Sequence, residues 1–206
     1  AKDTSRKVRA VKKLQAERGE WLGGRPPYGY RKSETTENHL EPDPEAAEVV
    51  RQIFTLCAAG KGPSQIARIL TERNILTPAN YYFQKAGKTH KGRDALHPCT
   101  WSGTTVSDIL KNVMYLGHTV GLRRTTISYK NKTRIDRPES EQCLVKNTHQ
   151  PLITQEQWQI VQEVRQHKKR TAKQMDEPNL FSGLVFCADC GKPLVLHRAS
   201  TMKKVE

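Results

Sequence analysis

Apolar residues along this chain recur at helical spacing in several separate stretches, each bounded by its own punctuation. Ser5 to Glu20 carries a sparse stripe of Val8, Val11 and Leu14, crowded by Arg6, Lys7, Arg9, Lys12, Lys13 and Arg18, with only Asp3, Glu17 and Glu20 to offset them. A stripe this narrow does not sustain a helix alone, so it must pack on further chain or on a partner. Asp43-Pro44-Glu45 reads as an N-cap, a first-turn proline and a favourable acid, which starts a helix. That helix runs to about Ala59 with Val50, Ile53, Phe54 and Cys57 inward, and Gly60 stops it. Gly62-Pro63-Ser64 opens a second helix to about Arg73, burying Ile66, Ile69 and Leu70. Asn74 ends it in the left-handed conformation. The densest pattern follows Ser102: Val106, Ile109, Leu110 and Val113 fall at i, i+3, i+4 and i+7 and predict a helix from Ser102 to Met114.

Those last three helices make a helix-turn-helix-like trio with an unusually long gap before its third member. Residues 31–40 read as polar and turn-like, and Thr77 to Pro98 reads as a long loop carrying Lys85, Lys88, Lys91, Arg93 and two histidines. Loops of that length are functional or disordered. After Gly117 the pattern changes. His118 to Leu122 and Gln142 to Lys146 look like short strands, and between them lie Arg123, Arg124, Lys130, Lys132, Arg134 and Arg137. A basic hairpin or flexible tip of that kind is a natural phosphate clamp. Thr154-Gln155-Glu156-Gln157 is a capping box, and the helix it starts carries Trp158, Val161 and Val164 before Lys168-Lys169-Arg170. A polar linker over 171–179 then leads through Leu180 to Phe186 into Cys187-Ala188-Asp189-Cys190-Gly191. The expected class is α+β: a helix-turn-helix-like helical core with a small antiparallel hairpin or sheet, preceded by the end of a long helix.

Charge narrows what such a fold can meet. The 206 residues hold 35 lysines and arginines against 21 acids, a formal charge of +14 and a pI near 9.7. An excess of that size points to a polyanion, nucleic acid before an anionic membrane surface. No apolar run approaches the roughly 18 residues of a membrane span, and no signal peptide opens the sequence. Five cysteines is an odd number, and only Cys187 and Cys190 have a recognisable spacing. That is no disulfide framework, so a reducing, cytoplasmic setting is expected. The chain opens on Ala1 inside a helical pattern, which suggests a piece of a longer protein.

Three sites stand out as candidate chemistry. The polar face of the Ser102 helix consists of Ser102, Thr104, Thr105, Ser107, Asp108, Lys111 and Asn112, and its first turn holds short hydroxyl residues beside Gly103. A start of that kind can approach a nucleic-acid backbone or groove edge. The plainer alternative is a surface helix whose hydroxyls only cap. The second is Trp21-Leu22-Gly23-Gly24-Arg25-Pro26-Pro27-Tyr28-Gly29-Tyr30. Its prolines force an extended path, and Arg25 sits like the arginine of a minor-groove arm. Tyr28 and Tyr30 are expected to pack, with Gly24 and Arg25 outward. The third is the cysteine knuckle. Zinc takes four ligands, whereas Cys187 and Cys190 supply two and His197 is a weak third. The reading is half of a zinc ribbon, with zinc held in a full-length protein and not here. Cys143 and His149 supply a nucleophile and a base in type only, since nothing in the sequence orients them.

Taken in order, Gly23-Gly24-x-Pro-Pro-Tyr28-Gly29-Tyr30, Ser64-x-x-x-Ala67-x-x-Leu70 with Thr77-Pro78, Trp101 through Val106, Ile109, Leu110, Asn112 and Tyr115 to Gly117, and the Cys187 knuckle resemble the large serine recombinases of phages and conjugative transposons. The resemblance runs from about Ser5 to Leu196. It implies the C-terminal end of a long helix over 1–22, a minor-groove linker over 23–30, a recombinase DNA-binding domain over 31–170, and a linker with the first half of a zinc ribbon over 171–206. It also implies a double-stranded attachment site as partner, dimers and tetramers of the full-length protein, a bacterial cytoplasmic location on DNA, and neither membrane nor small-molecule substrate. In that family a catalytic-domain serine attacks the phosphodiester, and this sequence offers no place for that serine and its arginines. The expectation is a chain that binds DNA without cutting it. The DNA contacts expected are Gly24, Arg25, Ser102, Thr104, Thr105, Ser107, Lys111, Arg123, Arg124, Lys130, Lys132 and Arg134. A stand-alone helix-turn-helix regulator and a basic RNA-binding module are the other readings.

Overall fold

The computed structural model describes residues 2–87, 92–127, 130–131, 133–166 and 184–194. The chain divides into two compact units, Ala1–Val161 and Gln162–Glu206. The first begins with α1 (Lys2–Glu17), a hairpin of β1 (Tyr30–Lys32) and β2 (Leu40–Pro42), and the helices α2 (Pro44–Ala58), α3 (Pro63–Glu72), α4 (Pro78–Ala86) and α5 (Gly103–Lys111). A 3-10 turn over Val113–Leu116 leads into β3 (Thr119–Gly121), β4 (Arg124–Thr126), β5 (Arg134–Asp136) and β6 (Cys143–Val145), and α6 (Gln155–Gln166) follows. All strand pairing is antiparallel, β1 with β2, β3 with β6, and β4 with β5 nested between them. The α+β expectation therefore holds, and the two predicted strands at 118–122 and 142–146 pair with each other, with the basic tip folded as the inner β4–β5 hairpin.

The core forms where the apolar faces of α2, α3 and α5 meet. Val50, Ile53, Phe54, Ile66, Leu70, Val106, Leu110 and Val161 are fully buried there. The predicted punctuation does its work: the Asp43 carboxylate accepts from the amides of Glu45 and Ala46 at 3.2 and 3.4 Å. Gly60 and Asn74 take the positive φ values of 83° and 53° that end α2 and α3. Thr154 Oγ1 accepts from the Gln157 amide at 3.2 Å, the N-cap half of the expected capping box, while the Gln157 side chain donates to Thr55 Oγ1 instead of returning to Thr154.

Three expectations need correction. The long loop over 77–98 contains α4. Thr77-Pro78 supplies an extended N-cap and a first-turn proline, the Asn80 amide donates to Thr77 Oγ1 and to the Pro98 carbonyl, and Gly87 closes the helix at φ 64°. The predicted 102–114 helix breaks at Asn112, whose backbone leaves the helical region at φ −85°, ψ 106° while its side chain accepts from the Met114 amide. That break turns Met114 and Tyr115 into the core and leaves Val113 off the α5 face, only half-buried. Residues 31–40 are not merely turn: their ends pair as β1 and β2, with Ser33 Oγ bonded to the Thr35 hydroxyl and accepting from the Thr36 amide at the tip.

A polar knot closes the core beside the 3-10 turn. His149 packs edge-on against Tyr30 at 4.7 Å, its Nε2 donates to the Met114 carbonyl at 2.8 Å, and its Nδ1 meets Thr148 Oγ1 at 2.9 Å. Both ring nitrogens are thus occupied in the neutral form, and no base is left over for Cys143. Burial holds the His149 pKa below its ordinary 6.5, and His118 and His39 push the same way against the opposing Met114 hydrogen bond. The folded value lies below the unfolded one, so the unfolded state binds the proton more readily. The associated stability is complete above the unfolded pKa and is lost as pH falls towards the folded one. A lower urea midpoint is expected at about pH 5 than at about pH 7.5, and His149→Gln should flatten that difference. Identical slopes in the two proteins would assign the pH dependence elsewhere.

A cationic groove as candidate nucleic-acid interface

Polar and charged side chains that lie far apart in sequence converge on one groove of about 1770 Å³ in the first unit. One wall is α1, which contributes Arg9, Lys12 and Lys13. The linker before β1 contributes Arg25, β1 itself Arg31 and Lys32, and α4 contributes Lys85. The arm formed by β3, β4 and β5 adds Arg123, Arg124, Arg134 and Arg137. Eleven cations line the groove against two carboxylates, Glu20 and Asp43. Some of those cations are neutralised locally. Arg124 pairs with Asp136 at 2.8 Å and Arg137 with Glu141 at 3.8 Å on the arm, Arg31 with Glu41 at 3.6 Å across the first hairpin, and Lys13 with Glu17 at 3.8 Å along α1. Arg9, Lys12, Arg25, Lys32, Arg123 and Arg134 form no ion pair among the described residues.

Each wall is fixed by packing. The C-terminal end of α1 lies across β3: a Cβ on Gly121 would stand 2.7 Å from the Cβ of Ala16, which is fully buried. Gly19 ends the helix at φ 74°, where a side chain would collide with Thr148. The apolar stripe of α1 does not join this contact; Val8, Val11 and Leu14 are about half exposed. The linker is then pinned at both ends. Trp21 donates its amide to the Asn38 carbonyl at 2.7 Å, and the Tyr115 hydroxyl donates to the Tyr28 carbonyl at 2.8 Å. Tyr30 donates its hydroxyl to the Gln150 carbonyl at 2.9 Å, and Tyr28 meets the rings of Tyr81 and Trp101 edge-on. Burial raises the pKa of Tyr28, Tyr30 and Tyr115, so all three stay protonated, and Tyr30 and Tyr115 serve as hydrogen-bond donors. α4 is held by the Tyr81 hydroxyl on Asp43 at 2.7 Å and by Lys85 on Glu45 at 3.1 Å.

The sequence-derived candidates separate into two groups. Gly24, Arg25, Arg123, Arg124 and Arg134 all line the groove. Gly24 is exposed, with open space where a Cβ would stand. Arg25 does not project freely outward as expected. It is half-buried, its guanidinium lies 5.4 Å from the centre of the Tyr82 ring, and Nη1 is buried with no hydrogen-bond partner among the described residues. Lys130 is exposed, and Lys132 lies outside the described residues. Ser102, Thr104, Thr105, Ser107 and Lys111 do not line the groove. Ser102, Thr104 and Lys111 are exposed, while Thr105 and Ser107 are half-buried. Ser102 Oγ accepts from the Thr105 amide at 3.1 Å and bonds the Thr105 hydroxyl at 2.9 Å, so capping engages both. Gly103 serves packing: a Cβ there would stand 2.9 Å from Ser64 Oγ, which is how α5 closes on α3.

Sequence reasoning missed Arg31, Lys32, Lys85, Tyr81 and Tyr82 as groove residues. The Thr77-Pro78 helix start and the Tyr81-Tyr82-Phe83 run were the available signal. In the second unit, Cys187 donates its amide to the Lys192 carbonyl at 2.8 Å and its carbonyl accepts from the Gly191 amide at 2.9 Å, with Gly191 at φ 63°. Backbone hydrogen bonds from Cys190 and Asp189 hold the Cys187 thiol pKa below its ordinary range. This suits a metal-binding thiolate, yet no group of three or more His, Cys, Asp or Glu side chains gathers among the described residues. Two thiols do not satisfy a four-ligand zinc site. His197 and residues 167–183, with the end of the predicted helix and the linker, lie outside the described residues.

Comparison with known proteins identifies the fold's relatives. The model of the Recombinase family matches residues 44–168. The uncharacterized protein YefB of Bacillus subtilis (strain 168) is 31% identical over 94 residues, which are 46% of this chain and 31% of YefB, so this chain spans under a third of that relative's length. A solved structure described as "Crystal Structure of a LSR-DNA Complex" superposes with a TM-score of 0.47 at 22% identity, over 91% of this chain and 47% of that one. Another, described as "Sequence Requirements of the Listeria innocua prophage attP site", gives a TM-score of 0.48 at 21% identity, over 91% of this chain and 63% of that one. The family match takes in α2 through α6, more than half of the 206 residues and most of the stretch that carries the recombinase motifs. It bears out the resemblance to the large serine recombinases, and the chain belongs to the Recombinase family.

Proposed function

We propose that this chain is the DNA-binding part of a large serine recombinase and that the cationic groove grips the backbone of a double-stranded attachment site. One observation carries the reading: eleven cations against two carboxylates along a single groove. A groove so lined concentrates positive potential where a polyanion can lie, and several of its cations have no ion-pair partner among the described residues. In this reading α1 and the β3–β5 arm hold phosphates, Arg25 reads a minor-groove edge, and the exposed first turn of α5 approaches the major groove. Cleavage and strand exchange, self-association and zinc binding are assigned to the intact recombinase. No described helix is long and apolar enough to cross a membrane.

Fluorescence anisotropy with labelled duplex DNA at rising salt tests the proposal. Neutralising about 6–10 phosphates should cost roughly 10³–10⁵ in affinity between 50 and 200 mM salt. A flat salt response, or tighter binding to RNA duplex than to DNA, would replace it with a general basic or RNA-binding module. The α5 assignment has its own expected result. Glutamates at Thr105 and Ser107 should erase discrimination between attachment-site and scrambled duplexes by at least about tenfold, the scale on which one base pair is read. An acid is favoured at Thr105 in the first turn of α5, and circular dichroism of the double variant checks that the fold survives the change at Ser107 in the next turn. Discrimination that persists in this variant would move sequence reading off α5.

A further inference from the structure

Arg25 reaches the groove from a stretch that offers it little support. Its neighbour Gly24 stands in open space, it enters no ion pair, and its Nη1 has no hydrogen-bond partner among the described residues. The group that locates it is the ring of Tyr82, 5.4 Å from the guanidinium carbon and within cation–π range. Tyr82 sits on α4, and α4 is itself fixed. Tyr81, next in the chain, turns towards the N-cap of α2 and donates to Asp43, while Asn80 ties the first turn to the Pro98 carbonyl. Consecutive tyrosines on a helix point in different directions, so one anchors the helix and the other is presented to the linker.

We propose that Tyr82 is a positioning residue, holding the Arg25 guanidinium at the groove wall so that its N–H groups meet the acceptors of an A·T-rich minor-groove edge. An aromatic face attracts the cation without consuming its in-plane donors. Those donors stay available for adenine N3 and thymine O2, which are the acceptors that edge displays. Nη1 is buried without a hydrogen-bond partner among the described residues, so the contact with the duplex falls to the remaining N–H groups of the half-buried guanidinium. Without the ring, Arg25 has its full rotamer freedom to lose on binding. The inference rests on the reading of the groove as a duplex-binding surface, and it adds the residue that makes one arm of that surface ready in advance.

Two readouts on the full chain test it. The first needs no DNA: relaxation of the Arg25 Nε–H resonance should report an ordered side chain in the wild type and in Tyr82→Phe, and a mobile one in Tyr82→Leu. The second compares duplexes whose flanks are A·T-rich or G·C-rich. Tyr82→Leu should lose about three- to tenfold on the A·T-rich duplex, the scale of one cation–π contact and its ordering. It should change little on the other, and Tyr82→Phe should match the wild type. Adding Tyr82→Leu to Arg25→Ala should cost nothing further. Tyr82→Gln, which also lacks the ring, replaces the leucine variant if circular dichroism shows the latter unfolded. Equal Arg25 mobility in wild type and ring-less variant overturns the proposal, as does an unchanged flank preference or additive losses in the double variant. A uniform loss on both duplexes overturns the minor-groove role and makes Arg25 a phosphate contact. Wild-type protein without any duplex affinity would sink the groove reading, and the relaxation measurement would still decide whether Tyr82 orders Arg25.

Discussion

Replacing Lys12, Arg123 and Arg134 with glutamate is expected to weaken duplex binding by at least about 100-fold near 100 mM salt, and to flatten the salt dependence by roughly 0.9 in log–log slope for each phosphate that is no longer neutralised. The three residues come from opposite sides of the groove, α1 and the β3–β5 arm, and none has an ion-pair partner among the described residues. Each reversal removes an attraction and adds a repulsion. The informative control reverses Lys61, Arg73 and Lys146, which removes the same amount of charge outside the groove. If net charge alone drove binding, the two triple variants would weaken it equally. A groove-specific interface predicts that the control loses little and keeps the wild-type slope. Thermal melts of both variants guard against a trivial cause, and little change is expected because surface charges contribute little to stability.

Tyr115→Ala should be the most damaging single substitution in the core, costing about 3–5 kcal/mol as large aromatic truncations do. Tyr115 is 1% exposed, stacks near-parallel to Tyr30 at 6.1 Å, and meets Phe54 edge-on at 5.8 Å. Its carbonyl accepts from the Leu152 amide at 3.0 Å and its hydroxyl donates to the Tyr28 carbonyl at 2.8 Å. The residue therefore ties the linker, the 3-10 turn and the segment before α6 to one point. Against a typical domain stability of about 5–15 kcal/mol, the alanine variant keeps little or none. Tyr115→Phe separates packing from hydrogen bonding. It keeps the ring and leaves the Tyr28 carbonyl unpaired, for an expected loss of about 1–3 kcal/mol. Urea titrations of the three proteins give both differences directly. A phenylalanine variant as stable as the wild type would mean that the linker is held through Tyr30 and Trp21 instead.

Much of the helical core was legible because its signals are local. Asp43-Pro44-Glu45, Gly60, Asn74 and Ser102 each act within one turn of where they stand, and each does what its chemistry predicts. The errors arose where long-range packing outweighs a local pattern. α4 is short and its tyrosines face the groove and the α2 N-cap, so it lacks the apolar periodicity that marks a helix. The break at Asn112 follows from a side-chain hydrogen bond that stops the helix although Val113 fits its spacing. Gly103 was read as permitting a ligand to approach, whereas the approach it permits is that of α3. The basic residues were countable, yet sequence could not say that the α1 and arm cations share one groove while the α5 face stands apart from them. That partition depends on Ala16 meeting Gly121, two residues far apart in the chain whose pairing neither local pattern announces.

The seating of α1 has a mechanical consequence. With Ala16 against Gly121 and Gly19 locked against Thr148, the final turn of α1 is soldered to the sheet of β3 and β6. Torque applied to the far end of α1 reaches the globule undiminished unless the rod itself flexes. Any swivel must therefore sit upstream of Ala16, in the exposed turns that touch the body least, and a proline inserted there would uncouple the two ends while leaving the weld intact.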